Sequence, residues 1–443
     1  MIRPEDILFW AGGNVLARYG TLVRRTRPDA PGIDFSRASG GTLVGRTGTL
    51  REAGPDVPRI HWLDRDGDGA PETPVLRLEP QRTNQIRNPR CEGAVVGVVG
   101  SGGALPTFWS LFSPGIAVEI VGTGTEDGMS YVDVRLSGTP TATTGALIGL
   151  DGGNHASAAA GEVWTGSLYA RLVAGSLSGA LGVQIELSER DASGAVLQTH
   201  RGDIAVTDLP RLSVARHVHT ATLVQAATAA VRALLRVPVT QGVPVDLTLR
   251  LAGPQLERGP YPSSLILPDV GAPAVSTRAM ETVSADVSAL NPPRAIAVYM
   301  RCIKGYAGDG GHPAPRLWTV SDSGDTPPRA TVYVGSVGLL RFSHRTSPSV
   351  SSDAGVVGSE TARGDQVEAL AILLPDGSPS LAVSINGGPV LSGSSGPLAF
   401  AQAWSAARIH IAGPVSSGPL DLLDLLILRG ASWTLDDVRR LVS

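Results

Sequence analysis

An apolar side chain stands at every second position in short runs that recur along this chain, and no other property limits its folding so strongly. Val132/Val134/Leu136, Leu168/Ala170/Leu172, Val183/Ile185/Leu187 and Val245/Leu247/Leu249/Leu251 carry it, as do Ile296/Val298/Met300, Leu381/Val383/Ile385 and Ile409/Ile411. A β-strand sends successive side chains to opposite faces, so this pattern gives each strand one face for a core and one for solvent. Clusters of Gly, Pro, Ser and Asp separate the runs, and Gly plus Pro make up 87 of the 443 residues. Many short strands with turns between them predict a mostly β protein built of sandwiches or jelly rolls. Helix is scarce. The clearest one closes the chain, where Thr434 caps, Asp437 completes a capping box, and Leu435, Val438, Leu441 and Val442 form an apolar face. The alanine-rich stretch from Ala221 to Leu235 reads as strand because it lies between strands.

Composition narrows the function. Hydrophobic residues at 42% supply real cores, and charged residues at 17% are too few for a disordered polyampholyte. A net charge of −3 lacks the basic footprint of a phosphate-binding surface, which argues against nucleic acid as a partner. Lys304 is the single lysine among 37 basic residues, a coding bias and not chemistry. Cys91 and Cys302 are too far apart in sequence to suggest a disulfide framework, and no Cys/His spacing offers a zinc site. The first twenty residues carry Arg3, Glu5 and Asp6 ahead of a short apolar patch, which fits neither a signal peptide nor a membrane span. The expectation is a soluble chain without a Sec signal and without membrane insertion.

Composition shifts divide the chain into five stretches: a lead segment 1–30, a turn-dense module 31–89, a first β domain 90–268, a Pro/Ala/Ser connector 269–293 and a second β domain 294–443. Phe35-Ser36-Arg37-Ala38-Ser39, Pro58-Arg59-Ile60 and Leu76-Arg77-Leu78-Glu79-Pro80-Gln81-Arg82-Thr83-Asn84 together resemble the linker module of tailed-phage tail-fibre and head-spike proteins. Similar modules occur in gene-transfer-agent head spikes. Arg77 interrupts the leucine run usual there. Asn88-Pro89, Trp109, the Gly128 to Tyr131 stretch, Pro254-Gln255-Leu256-Glu257-Arg258-Gly259, Pro262-Ser263-Ser264 and Thr277-Arg278 resemble the jelly-roll carbohydrate-binding module of such fibres. Asp376-Gly377, Ser384 to Gly388 and Leu428-Arg429-Gly430 are similar to concanavalin-like, laminin-G-like sandwiches. The resemblance implies an N-terminal docking segment, two β-sandwich (jelly-roll) domains and a short C-terminal helix.

Asp64, Asp66 and Asp68, followed by Gly69, place carboxylates at alternate positions as in the first half of a calcium loop, with Glu72 the candidate for a later ligand. Position 12 is Val75, so the usual bidentate glutamate is missing. The plain alternative is an acidic hairpin turn between strands at Ile60–Trp62 and Val75–Leu78. A pyranose ring stacks its C–H face on an aromatic side chain while its hydroxyls pair with polar groups. On that chemistry Trp109, Tyr131, Asp151, Asn154 and His155 are the carbohydrate candidates in the first β domain, and Trp318 and His344 in the second. Trp164 and Tyr169, an odd number of residues apart on one strand, face opposite sides, which leaves at most one of them in the core.

There is no GxSxG, HExxH, P-loop or GxGxxG, and no marked carboxylate pair. With the resemblance, this points away from an enzyme and toward a virion adhesin that binds host capsular or envelope polysaccharide. Such a protein is assembled with its particle in the bacterial cytoplasm and ends on the virion surface. Ile7, Leu8, Phe9 and Trp10 are the candidates for docking to a capsid or tail protein. A homo-oligomer, trimer or pentamer, is expected, and no cofactor is required beyond candidate Ca2+. A capsule-degrading tailspike and a purely structural fibre segment are the alternatives.

Overall fold

The computed structural model describes residues 7–11, 23–25, 33–66, 68–153, 155–287, 295–305, 316–321, 327–335, 338–399, 408–411, 420–429 and 431–442. The described chain is mostly strand, as the alternation predicts, and its one α-helix is the terminal Leu435–Val442. No described helix is long and apolar enough to cross a membrane. The chain divides into two compact units, one of residues 41–52 and 82–278, the other of residues 1–40, 53–81 and 279–443. The turn-dense stretch 31–89 is therefore shared between the two.

The unit of residues 41–52 and 82–278 is a β-sandwich. Its seven-stranded sheet runs in the order Gly102–Gly103, Gly97–Val99, Ala117–Glu126, Met129–Gly138, Val245–Arg258, Val163–Ser176, Arg216–Thr222. Its six-stranded sheet runs Ser110–Phe112, Thr144–Gly149, Ala230–Val239, Val183–Arg190, Val196–Ile204, with Ala156–Ser157 also paired to Ala230–Val239. Ile120, Val132, Val134, Leu136 and Leu249 from the first sheet meet Ile148, Ile185, Leu187, Val231 and Leu235 from the second in one core. Each such side chain contributes about 1.5–3 kcal/mol by leaving water. Residues 221–235 are strand at both ends, with a turn between Arg216–Thr222 and Ala230–Val239.

Trp164 and Tyr169 do face opposite sides, yet both are buried. Trp164 lies in the main core, while Tyr169 packs in a second cluster with Leu50, Met129, Leu212, Ala252 and Leu265. Only Trp164 therefore enters the core between the sheets, as strand parity implies, and Tyr169 is buried because the outer side of the seven-stranded sheet is itself partly covered.

The motif residues are framework. Asn84 accepts from the Ile86 and Leu256 N–H groups at 3.0 and 3.1 Å and donates to the Pro254 and Ile266 carbonyls, both at 3.2 Å. Gln255 donates to Glu257 at 2.6 Å, Glu257 accepts from the Ser263 N–H at 2.8 Å, and Arg278 donates to Ser264 at 2.9 Å.

The other unit also pairs two sheets. One, of seven strands, runs Val350–Glu360, Leu339–Ser347, Arg329–Val334, Arg316–Ser321, Arg408–Ile411, Thr282–Asp286, Ile33–Ser36. The other, of nine, has Val23–Arg25, Ile7–Ala11, Leu420–Arg429, Ile296–Lys304, Gln366–Leu373, Pro379–Ile385 and Leu391–Ser394 in order. Thr73–Leu78 also pairs with Leu420–Arg429, and Ile60–Leu63 with Thr73–Leu78. The terminal helix covers Ala297, Tyr299, Leu370, Ile372, Leu426 and Leu428 with Leu435, Val438 and Val442. Its cap forms as read from sequence: the Asp437 N–H donates to Thr434 Oγ1 at 3.2 Å and the Thr434 N–H to Asp437 Oδ2 at 3.1 Å.

Within this unit Arg37, Arg59, Glu79 and Glu281 form a buried charge network. Arg59 donates to Glu281 at 2.6 and 2.5 Å and to Glu79 at 2.7 Å, and Arg37 donates to Glu281 at 2.7 Å. Arg37 of the first linker stretch, Arg59 of the second and Glu79 of the third are thus joined with the help of Glu281. Arg77, the break in the leucine run, pairs with Asp421 through two bonds of 2.8 and 2.7 Å.

Candidate functional site

Four of the aromatic and histidine candidates are committed to packing. Trp109 is 8% exposed in the main core and donates its ring N–H to the Asn88 carbonyl at 3.4 Å. Trp318 is buried against Phe342, ring centroids 5.5 Å apart. His344 is fully buried, with Nδ1 3.0 Å from the Gly377 carbonyl, and burial lowers its pKa. Tyr131 is half-buried beneath Arg250, whose guanidinium carbon sits 3.6 Å from the ring centroid while its nitrogens hold Asp133 and Glu126. An aromatic ring covered on its face offers no platform to a sugar, so these positions are corrected to structural ones. Asn154 lies outside the described residues. Ile7–Ala11 is a strand whose backbone pairs with Val23–Arg25 on one side and Leu420–Arg429 on the other. The side chains of Ile7, Leu8, Phe9 and Trp10 lie outside the described residues.

At the acidic turn, Asp64, Asp66 and Glu72 bring carboxylate oxygens within 4.8 Å of one another. Asp68 turns away and accepts the Ala70 N–H at 2.7 Å. Asp64 accepts the Gly69 N–H at 2.8 Å and Asp66 the Asp68 N–H at 3.2 Å, while Glu72 accepts the Arg65 N–H at 3.1 and 3.3 Å. Three of the four expected ligands therefore converge, on a turn between Ile60–Leu63 and Thr73–Leu78 whose carboxylates already satisfy backbone donors.

Asp151 and His155 border a different surface, the outward face of the six-stranded sheet. Because Ile148, Val231, Ile185 and Leu187 point into the core, alternation places Ser110, Phe112, Gly145, Leu147, Gly149, Gln184, Glu186, Ser188, Arg190, Thr199, Arg201, Asp203, Arg232, Leu234 and Arg236 on the outside. Register turns these into rows across the strands: Phe112, Leu147, Arg236, Gln184, Asp203 in one, and Ser110, Gly149, Leu234, Glu186, Arg201 in the next. Phe112 is 55% exposed at the sheet edge.

Two glycines shape this face. A side-chain carbon at Gly145 would stand 2.6 Å from Arg236 Nε, and one at Gly149 would overlap the Arg232 guanidinium. Both arginines therefore lie flat across the neighbouring strand. Arg232 reaches Ser110 Oγ at 2.5 Å. Arg236 donates to Gln184 at 2.7 Å, and Arg201 donates to Glu186 at 2.7 Å. Beside them Asp151 is held by Arg87 through bonds of 2.9 and 2.7 Å, and the Arg87 guanidinium carbon lies 3.7 Å from the Phe108 ring centroid. Phe108 adopts a positive φ of 71°, a costly conformation for an aromatic residue. Burial, then Arg190 and Arg232, lower the His155 pKa against the pull of Asp151. Burial, then Arg190, lower that of Arg232. Aromatic edge, amide, hydroxyl, carboxylate and guanidinium groups on one rigid sheet are the set that stacks and hydrogen-bonds a saccharide. Sequence reasoning found the bordering loop and missed Phe112, Arg232 and Ser188, although the alternation that places 231, 233 and 235 inward implies their outward neighbours.

No protein-family model matches the chain, and no curated protein matches it. Among solved structures it is similar to the N-terminal CBM22-1–CBM22-2 tandem domain of Paenibacillus barcinonensis Xyn10C, at 11% identity and a TM-score of 0.23, covering 76% of this chain and 99% of that one. A likeness at that level carries no argument about fold or ligand.

Proposed function

We propose that this protein is a non-enzymatic adhesin of a phage or gene-transfer-agent particle, a head spike or tail fibre subunit on the virion surface that holds host-envelope polysaccharide. The observation that carries the saccharide-binding part is the outward face of the six-stranded sheet, where exposed Phe112 stands in the row of Arg236 and Gln184 and the adjacent row carries Ser110 and Glu186. The particle part rests on the linker-motif resemblance. In that reading the N-terminal segment docks to a capsid or tail protein, and homo-oligomeric copies multiply a weak, shallow contact by raising effective concentration.

On the candidate face Glu186 pairs with Arg201, and Asp203 accepts from Gln184 at 2.8 Å. Incubating the purified protein with extracted envelope polysaccharide, and following both retained polymer and new reducing ends, tests the reading. Retention with unchanged chain length supports an adhesin. Shortened chains would establish the tailspike enzyme instead, and no retention by the native oligomer would leave a structural fibre segment.

A further inference from the structure

Among the described residues, three hydrogen-bond donors on this face have no acceptor. The Ser188 hydroxyl, on a residue 1% exposed, and the Nε–H groups of Arg190 and Arg232 are buried and make no hydrogen bond. Ser188 is the register partner of Arg232 on one side and of Thr199 on the other, and Arg190 follows two positions along the same strand and face. A buried donor without an acceptor is costly, and although other buried side-chain atoms of the described residues, such as Arg82, Arg171 and Arg216 Nε, also lack a partner, the grouping on one sheet face sets these apart. Here three sit in adjacent positions.

The charges around them are unbalanced in the same sense. Arg201 and Arg236 share Glu186, at 2.7 and 3.9 Å. Among the described residues Arg190 and Arg232 form no ion pair: Arg190 donates to the Gly194 carbonyl at 2.7 Å and Arg232 to Ser110. The nearest acid, Asp151, is engaged by Arg87. Cationic groups therefore outnumber carboxylates here, and His155 beside them is held toward its neutral form by burial and by Arg190 and Arg232. Of the other carboxylates, Asp203 on the same face accepts from Gln184 at 2.8 Å, and Glu189 points into the sandwich and is consumed by His200, Thr228 and the Val224 and Gln225 N–H groups.

We propose that Arg190, Arg232 and Ser188 form a subsite for the oxyanion of an acidic saccharide, with the ring carrying it laid along the sheet toward Phe112. An ionised carboxylate or sulfate is acceptor-only and offers several lone pairs, the kind of partner these orphan donors lack. Guanidinium forks suit a planar carboxylate and lose little freedom on engaging it, the more so when the Arg232 stem is already laid down over Gly149. This subsite deepens the saccharide-binding reading and depends on it.

The test is a 15N-edited NMR titration of the Arg Nε–H resonances in the unmodified protein, with glucuronate, glucose 6-sulfate and glucose as probes. Signals assigned to Arg190 and Arg232 by single Arg→Lys variants should shift with glucuronate or the sulfated sugar at millimolar concentration, and the two arms separate carboxylate from sulfate. Glucose should leave them in place. Ser188→Ala removes a hydroxyl that makes no hydrogen bond in the fold, so it should preserve the melting temperature and weaken the anion at least threefold. Should neither anion move the signals, or glucose move them equally, the subsite is overturned. If neutral oligosaccharides still bind through Phe112 while the anions do nothing, the saccharide-binding reading survives and this deepening alone fails.

Discussion

At the scale of single residues, two buried carboxylates hold the framework beneath the exposed surfaces. Burial alone would raise the Glu189 pKa, but donors from Thr228, His200, Val224 and Gln225 bring it to about 2. A carboxyl with an ordinary unfolded value near 4.3 then contributes about 3 kcal/mol at neutral pH. Because its folded pKa is depressed, that contribution is present above about pH 4.5 and is lost as pH falls toward 2. Thermal melts should show Glu189→Gln costing clearly more stability at pH 7 than at pH 3; equal costs would remove the carboxylate's role. In the other unit, Glu281→Ala strips two buried guanidinium groups of their shared partner and should cost about 3–5 kcal/mol, read by denaturant unfolding. Sequence alone flagged Arg37 and Glu79 by resemblance, but Glu281 completes their network from a distant stretch of chain, and nothing local marks it. Trp109, Tyr131, Trp318 and His344 failed as candidates for the same reason: composition does not tell a buried Trp109 from a solvent-facing Phe112, whereas strand parity does once one neighbour is known to be core.

At the scale of elements, the alternating runs and the terminal helix with its cap were legible because each is set by residues close in sequence. Which strands become neighbours was not. The row from Phe112 to Asp203 draws on strands spread from Ser110–Phe112 to Ala230–Val239, and its existence depends on register. Gly149 shows how one strand position controls the next. A methyl group there would overlap the far end of Arg232 and crowd Ser110 Oγ, side-chain ends and not backbone, so Gly149→Ala should keep the fold, lift the Arg232 guanidinium off the sheet and break its bond to Ser110. The expected result is a melting temperature close to that of the parent together with a loss of anion-induced Arg232 shifts; an unchanged titration would show that Arg232 needs no cradle.

At the scale of the whole molecule, the division of residues 31–89 between two units gives the linker motifs a physical meaning. Arg37, Arg59 and Glu79 stabilise one unit from inside, and Asn84 ties four backbone groups in the other. The motif that suggested a particle protein is thus a folding element, and the proposed saccharide surface lies elsewhere, on a sheet face that carries no motif. A single shallow face of this kind is expected to bind weakly, and tethering several copies multiplies the effect without new contacts. The decisive experiment is titration of the purified full chain with fragments of bacterial envelope polysaccharide, the ligand class of the proposed function, comparing the parent chain, Phe112→Ala, and Val357→Ala, a change at an 86% exposed position in the other unit. Binding across the six-stranded sheet requires about a tenfold loss of affinity for Phe112→Ala, near 1.4 kcal/mol, and none for Val357→Ala; equal affinity of Phe112→Ala and the parent would refute it.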